Sequence, residues 1–378
     1  YKLQQYVKRM KQILTSNKLI IKIGSSLIFD SSINKIREDW LKSLADDILL
    51  AKKRKTDVIL VSSGAIAIGR NILGLDKDDL TLEQSQAAAA VGQIRLSQAY
   101  QHVLSLVGIT AAQVLLTLDD SENRRRYLNS RSTLNMLISL GVVPIVNEND
   151  TVATDEIRFG DNDRLASQVA IMVGADSLIL FSDVDGLFTS NPNIDQSSKL
   201  LSEITEITPE IENMAGDTNH KFAKGGMRTK LIAAKSATNA GCSVIISSGK
   251  RDSPLSQLIK GQNHSLFLAK TDPLTSRKNW ISSMKVKGKI KIDSGAIVAL
   301  NMGKSLLSAG VMEVLGTFSR GDPIEIIDEN HNSFAKGLVN YDNSEINLIM
   351  GKRSFEAAEI LGYVGRTSVI HRDNMVMQ

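Results

Sequence analysis

Between Pro144 and Asp163 the chain reads PIVNENDTVATDEIRFGDND, which gathers carboxylates and carboxamides at two chain reversals. An apolar run, VVPIV, leads into Asn147-Glu148-Asn149-Asp150, and Gly160-Asp161-Asn162-Asp163 then opens a long apolar segment, LASQVAIMVGA. Acidic groups are poorly suited to meeting a nucleotide directly. They suit an ammonium group, or the task of orienting lysines and a metal ion around an anion.

Four further clusters place small residues and cations where an anion could be met. Lys22-Ile23-Gly24-Ser25-Ser26 closes the first apolar run; its glycine would let backbone N–H groups approach an anion, the serines add hydroxyl donors and Lys22 a charge. Ser62-Ser63-Gly64-Ala65 follows the next run, DVILV, and a serine at a helix start with Gly-Ala behind it allows close approach of a carboxylate or phosphate. Asp183-Val184-Asp185-Gly186 ends a later run, a position suited to a ribose or base. Lys224-Gly225-Gly226-Met227-Arg228-Thr229-Lys230 opens an alanine-rich segment, with Lys230 one turn in and able to reach an anion faced by the glycine amides. Taken singly, each also reads as ordinary structure: a strand-to-helix turn, a capping serine, an Asp-supported turn, a glycine loop. None is a P-loop, whose glycine-to-lysine spacing is absent. Their conjunction carries the weight. Lys22 and Lys230 offer positive charge for a transferring phosphoryl group, while Asp150 and Asp163 orient those lysines, an ammonium or a cation. That combination points to phosphoryl transfer onto a small amino acid.

Apolar runs predict strands at Leu19–Ile23, Val58–Val61, Val142–Val146, Ser177–Phe181 and Ser243–Ile246. Helix-length segments separate them at Ile36–Lys53, Leu82–Leu106, Arg125–Leu140, Arg164–Gly174 and Met227–Ala240. The alternation implies an α/β fold with an open, mostly parallel sheet sandwiched by helices, in which ligands bind beyond the carboxyl ends of the strands. The clusters above fall there. Residues 19–270 form this domain. Residues 271–283, polar and containing Pro273, read as a linker, and 284–378 as a small, mostly β domain. Its strands are expected within KVKGKIKIDSGAIVAL, VMEVLGTFSRGDPIEIIDEN and SFAKGLVNY, followed by a helix at Ser354–Leu361 and a last strand in RTSVIHR.

Composition narrows the possibilities. With 378 residues, 42% of them hydrophobic, the chain can bury a large core and build two domains. It has no apolar run of the ~18 residues that a membrane-spanning helix needs. The single cysteine, Cys242, excludes an internal disulfide framework, fits a reducing cytoplasm and sits in an apolar run as a buried structural thiol. Five scattered histidines show no zinc spacing. The net charge of +4 lies outside the last domain, since residues 281–378 carry 11 basic and 11 acidic side chains. Residues 1–18 form an N-terminal extension holding Lys2, Lys8, Arg9, Lys11 and Lys18 and no acid. Leu3, Val7, Met10 and Leu14 recur there at helical spacing, which suits an amphipathic surface helix and not a secretory signal.

The segments KIGSS, SSGAIAIGR, AAVGQIRL, NENDTVAT, GDND, SDVDGLFT and KGGMRTK, in this order, resemble the amino acid kinase family, and DSGAIVAL with GVMEVLGTFSRGD and AKGLVNYDNSEI resembles a PUA domain. The resemblance spans nearly all of residues 19–378. It implies ATP as phosphoryl donor with Mg2+, the metal being held by nucleotide oxygens and water and not by protein side chains. The branch it resembles phosphorylates the γ-carboxylate of L-glutamate at the start of proline synthesis. By that resemblance Lys22, Lys230 and Asp163 are catalytic, with Asp163 organising the lysines. Ser63, Asp150 and Asn162 hold the amino acid. Lys22, Gly24, Ser182, Asp183, Lys224, Gly225, Gly226, Met227, Arg228, Thr229 and Lys230 line the nucleotide site. Lys224 departs from the family's small hydroxyl residue, and Ser182 replaces a common threonine. The resemblance further implies proline as feedback inhibitor, a homodimer or homotetramer, hand-off of product to glutamyl phosphate reductase and a cytoplasmic setting. Two alternatives stand beside it. One is a kinase for acetylglutamate, aspartate or UMP; the first of these has no free ammonium for Asp150 to meet. The other is RNA binding or RNA modification through the PUA-like domain. That domain's zero net charge disfavours RNA, although Lys285, Lys287, Lys289 and Lys291 alternate along one strand, read as an edge strand whose charges deter aggregation.

Overall fold

A computed structural model describes residues 16–75, 80–153, 162–192, 194–215 and 226–377. The expected basic helix of the N-terminal extension and the residues Lys224 and Gly225 lie outside these. The chain divides into two compact units, one of residues 16–122 and 129–273, the other of 123–128 and 274–377.

The first unit is built on strands β1 (Lys18–Ile23), β2 (Phe29–Asp30), β3 (Lys35–Ile36), β4 (Asp57–Ser62), β5 (Ala111–Leu116), β6 (Val143–Glu148), β7 (Ser177–Ser182), β8 (Glu203–Ile204), β9 (Ser243–Ser248) and β10 (His264–Phe267). Eight of them form one sheet in the order β5-β6-β4-β1-β7-β9-β10-β8, and β2 pairs only with β3. From β5 to β9 every pairing is parallel; β10 runs antiparallel to β9. β1, β4, β6, β7 and β9 are buried along nearly their whole length, which explains their continuous apolar sequences. The register aligns their carboxyl ends: Lys22 lies between Val61 and Leu180, and Leu116 pairs with Glu148.

The long helices include α1 (Glu38–Lys53), α2 (Ala65–Ile72), α3 (Leu82–Leu106), α4 (Arg124–Ser139), α5 (Asn162–Val173) and α6 (Met227–Asn239), of which α2, α3, α5 and α6 reach the site. α3 begins at a reciprocal cap in which Thr81 accepts from the Gln84 N–H and Gln84 accepts from the Thr81 N–H. α1 has Glu38 and Asp39 in its first turn and Lys52 and Lys53 in its last, matching its dipole. Trp40, Tyr100, Phe181 and Phe267 are the largest side chains buried in this unit.

The second unit carries the strands β11 (Gly288–Ile292), β12 (Val311–Gly316), β13 (Pro323–Ile327), β14 (Ser333–Leu338) and β15 (Met375–Met377). They form a five-stranded sheet ordered β12-β11-β13-β14-β15 over a core that includes Ile290, Ile324, Ile326, Val339 and Ile346.

The structure corrects several expectations. Pro273 opens a helix, Pro273–Ser283, within the stretch read as an irregular linker, because a proline at the first helical position sacrifices no internal hydrogen bond. SGAIVAL is helical, since the Asp293 side chain accepts from the Ala296 N–H at 2.6 Å and caps it. The last strand is Met375–Met377, and Ile370 within RTSVIHR makes only an isolated bridge to Leu306. β11, which carries Lys289 and Lys291, lies between β12 and β13 and is not an edge strand; Lys289 pairs with Glu325 at 2.9 Å. β5 and β10 went unread, as did the two-residue strands β2, β3 and β8: β5 is a half-exposed edge strand without a continuous apolar run, and β10 merges into polar sequence.

Candidate active site

The central strand β1 delivers Lys22 to the carboxyl edge of the sheet, then turns at Gly24, whose N–H donates to the Phe181 carbonyl of β7 at 3.1 Å. Two helix N-termini meet it there. Asp163, in the first turn of α5, is fully buried; its Oδ1 lies 2.5 Å from Lys22 Nζ and its Oδ2 3.0 Å from Lys230 Nζ. An acid suits a first helical turn, whereas Lys230 in the first turn of α6 opposes that helix's dipole and needs the carboxylate to hold it. Burial alone would push the Asp163 carboxyl up, but the Lys22 and Lys230 ammonium groups outweigh it and hold the carboxyl below the usual carboxylate range. Thr229 closes the same turn, its hydroxyl donating to the Gly226 carbonyl at 2.7 Å.

The residue before Asp163 belongs to a different cluster. Asn162 Nδ2 lies 2.6 Å from the Ser62 carbonyl, 2.9 Å from Ser63 Oγ and 3.0 Å from Asn147 Oδ1. Asn147 Oδ1 also accepts from the Glu148 N–H, and its Nδ2 donates to Gln93 Oε1 at 2.7 Å. Asp150 sits half-buried in the turn beyond β6. The carboxyl ends of β4 and β6, the start of α5 and the middle of α3 thus share one polar network.

The glycines separate into two kinds. Gly64 has φ 106°, which only glycine adopts at ease, so the turn from β4 into α2 requires it. Gly24 (φ −69°) and Gly226 (φ −70°) have ordinary conformations. A methyl group on Gly24 would come no nearer than 3.5 Å to protein atoms, and one on Gly226 would meet nothing within 4 Å. Neither backbone nor packing calls for glycine at those two places.

Lys22, Lys230 and Asp163 are therefore brought together, as are Ser63 and Asn162. Ser182 is buried at the end of β7, where its Oγ accepts from the Val184 N–H and its carbonyl from Gly249; Asp183 beside it is exposed. At the start of α6 Met227 and Thr229 are half-buried and Arg228 is exposed. Cys242 is buried, and burial pushes its thiol pKa up, as expected of a structural residue. Among the described residues no three His, Cys, Asp or Glu side chains converge as metal ligands, and Asp163 is engaged by both lysines.

Reading by motif gave Gln93 and Tyr100 no part in this site, and named Asn147 within its cluster without a role of its own. It also missed why α2 and α3 can lie against each other: a Cβ on Gly69 would fall 1.7 Å from the Ala88 carbonyl oxygen, and one on Gly92 1.8 Å from that of Ala65. The signal lay in the small residues of GAIAIG and AAAAVG, whose backbones touch.

The chain belongs to the amino acid kinase family, whose model matches residues 17–248; a PUA domain model matches residues 288–361. Among individual proteins it is similar to glutamate 5-kinase of Roseobacter denitrificans, 55% identical over 368 residues that cover 97% of this chain and 98% of the relative. It is also similar to glutamate 5-kinase of Agrobacterium fabrum, 52% identical over 368 residues, 97% of this chain and 94% of the relative. Of solved structures, carbamate kinase from Giardia lamblia bound to AMP-PNP aligns over 68% of this chain and 100% of its own, with a TM-score of 0.48 and 16% identity.

Proposed function

We propose that this chain transfers the γ-phosphoryl group of ATP to the γ-carboxylate of L-glutamate, forming glutamyl 5-phosphate, the first step of proline biosynthesis. One observation carries the reading: the consecutive residues Asn162 and Asp163 face two different clusters, a neutral amide and hydroxyl network and a buried pair of cations. A single helix start thereby sets an amino-acid subsite beside a phosphoryl subsite.

No general base is needed, because a carboxylate with a pKa near about 4.3 is already ionised at neutral pH. A γ-carboxylate oxygen forms the new bond to phosphorus as the bond to the bridging oxygen of ADP breaks, and ADP leaves with that electron pair. The barrier lies in bringing two anions together. Lys22 and Lys230 offset that repulsion, and Asp163 holds both in line without competing for phosphate. Gly24 and Gly226, which the protein itself does not require as glycines, leave room for phosphate oxygens, at the amide of Gly226 and against the bare Cα of Gly24, whose own N–H is taken by Phe181. Lys224 and Gly225, with Met227, Arg228 and Thr229, continue that wall, and Ser182 and Asp183 meet the nucleoside. Ser63 and Asn162 hold the amino acid, and Asp150 pairs with its α-ammonium. Mg2+ brought in with ATP as substrate would shield the charge of its phosphates, and no side chain of this chain is assigned to hold it.

Assembly into a homodimer or homotetramer, inhibition by proline at the amino-acid subsite, passage of the acyl phosphate to a reductase and a cytoplasmic setting complete the proposal. So does a division of the chain into an extension (1–18), a kinase domain (19–270), a connecting segment (271–283) and a PUA-like domain (284–378) with a structural or regulatory role. The test is ATP turnover with glutamate, N-acetylglutamate, aspartate and UMP, trapping any acyl phosphate as its hydroxamate with hydroxylamine. Hydroxamate formed with glutamate alone is expected. Preferred turnover of N-acetylglutamate or UMP would overturn the assignment.

A further inference from the structure

Helix α3 carries Gln86, Gln93 and Tyr100 at intervals of seven, two turns apart and hence on one face. Each reaches an element of the amino-acid side. Gln86 Nε2 donates to the Ala153 carbonyl at 3.3 Å, Gln93 Oε1 accepts from Asn147 at 2.7 Å, and the Tyr100 hydroxyl lies 3.0 Å from Ser62 Oγ.

The orientation of the amides between them is pinned by groups that have no choice of role. The Glu148 N–H can only donate, so Asn147 must turn Oδ1 towards it, at 2.9 Å. Asn147 Nδ2 then needs an acceptor, because the residue is 2% exposed, and Gln93 supplies it. The Ser62 carbonyl can only accept, which commits Asn162 Nδ2 to this side, alongside Asn147 Oδ1 and Ser63 Oγ. Two consequences follow for a bound amino acid. Asn162 Oδ1 forms the opposite arm of its carboxamide, an acceptor suited to an ammonium group. Ser63 Oγ, having accepted, keeps its proton to donate to a carboxylate.

We propose that Gln93 is a positioning residue of the amino-acid subsite. By accepting from Asn147 it locks the amide relay that presents Asn162 Oδ1 to the α-ammonium and the Ser63 hydroxyl proton to a carboxylate. The proposal rests on the reading of this subsite as the glutamate site. Gln93 touches no reacting atom, so its loss acts on glutamate affinity and not on the lysine pair.

The experiment is steady-state kinetics on the full chain with MgATP, glutamate and ATP being varied separately, for the wild type, Gln93→Leu, Gln93→Glu and Gln93→Lys. Gln93→Leu is expected to raise the glutamate KM roughly tenfold to a hundredfold, the worth of a hydrogen bond to a charged group, with kcat and the ATP KM within about threefold. Gln93→Glu retains the acceptor and keeps the glutamate KM within about threefold, whereas Gln93→Lys, a donor only, behaves like Gln93→Leu. A side chain that merely fills space would not separate glutamate from lysine at this position. Should Gln93→Leu not stay folded in a thermal melt, the comparison of Gln93→Glu with Gln93→Lys decides. Equal glutamate KM values for those two, an unchanged KM in Gln93→Leu, or a loss confined to kcat or the ATP KM overturns the relay. A wild-type chain inert toward glutamate sinks the proposed function and the relay with it; an active wild type with indifferent variants sinks the relay alone.

Discussion

Replacing Asp163 with asparagine removes one charge and almost no volume, so its effect reports the electrostatics of the centre. The carboxylate sits between Lys22 Nζ at 2.5 Å and Lys230 Nζ at 3.0 Å, and the three side chains are 0%, 7% and 4% exposed. Two unit charges ~4 Å apart interact by about 4 kcal/mol at an effective dielectric of ~20, and breaking a buried pair by removing one partner costs roughly 3–5 kcal/mol. Asp163→Asn should therefore lower stability by about 3–5 kcal/mol, roughly 6–20 °C in the melting of the first unit. The added amide NH2 must face one of the two ammonium groups, donor against donor, which deepens the loss. Because misplacing a reacting group by about 1 Å costs on the order of a hundredfold, kcat should fall by at least that factor. Lys22→Met combined with Asp163→Asn should be more stable than Asp163→Asn alone, since it leaves one uncompensated charge and not two. MgATP, whose phosphates can stand in for the lost anion, should raise the variant's melting temperature more than the wild type's. Differential scanning calorimetry with and without MgATP and steady-state kinetics measure each quantity. An Asp163→Asn enzyme that melts within about 1 °C of wild type, or a double variant less stable than the single, would refute the charge balance.

Gly24→Ala should leave stability within about 0.5 kcal/mol, because nothing in the protein crowds the new methyl, yet raise the ATP KM; an unchanged KM would remove Gly24 from the phosphate site. Gly92→Ala should cost at least about 1–3 kcal/mol and raise the glutamate KM, as it drives α3 off the Ala65 carbonyl and displaces both the Ser63 turn and Gln93; melting and kinetics test the two together. Burial lowers the pKa of His264, with the hydrogen bond to the Gln262 carbonyl opposing it only in part. A depressed folded-state pKa contributes stability that is present above the unfolded value near about 6.5 and lost as pH falls through the folded one. Melting temperature should thus decline on acidification below that value, and His264→Gln should flatten the decline; parallel slopes would refute it. Tyr100→Phe should cost about 1 kcal/mol through its lost bond to Ser62, read from denaturant unfolding; an unchanged midpoint would refute that contribution.

Much of the architecture was legible because it is local. Continuous apolar strands, helices between them and glycine or serine at strand ends are properties of neighbouring residues, and they predicted the parallel sheet and the edge on which Lys22, Asp163 and Lys230 meet. The errors were local as well. A single capping carboxylate, Asp293, turned an apolar run into helix, and a proline placed first rather than inside made a helix of an expected linker. β11 looked like an edge strand until its two neighbours were seen, because pairing partners are not written in a strand's own alternation.

The residue order by itself determined which chemistry was on hand: two lysines, an acid at a helix start and amides beside it. Only the tertiary structure decided which group serves which purpose. Asn162 and Asp163 are adjacent in sequence, yet a helix turns successive side chains by about 100°, so one joins the amides of β4, β6 and α3 while the other joins the lysines of β1 and α6. Gln93 reaches Asn147 across 54 positions because two glycines let α2 and α3 touch. Hydrogen-bond direction depends on which donors and acceptors converge in space, and a linear pattern does not encode that.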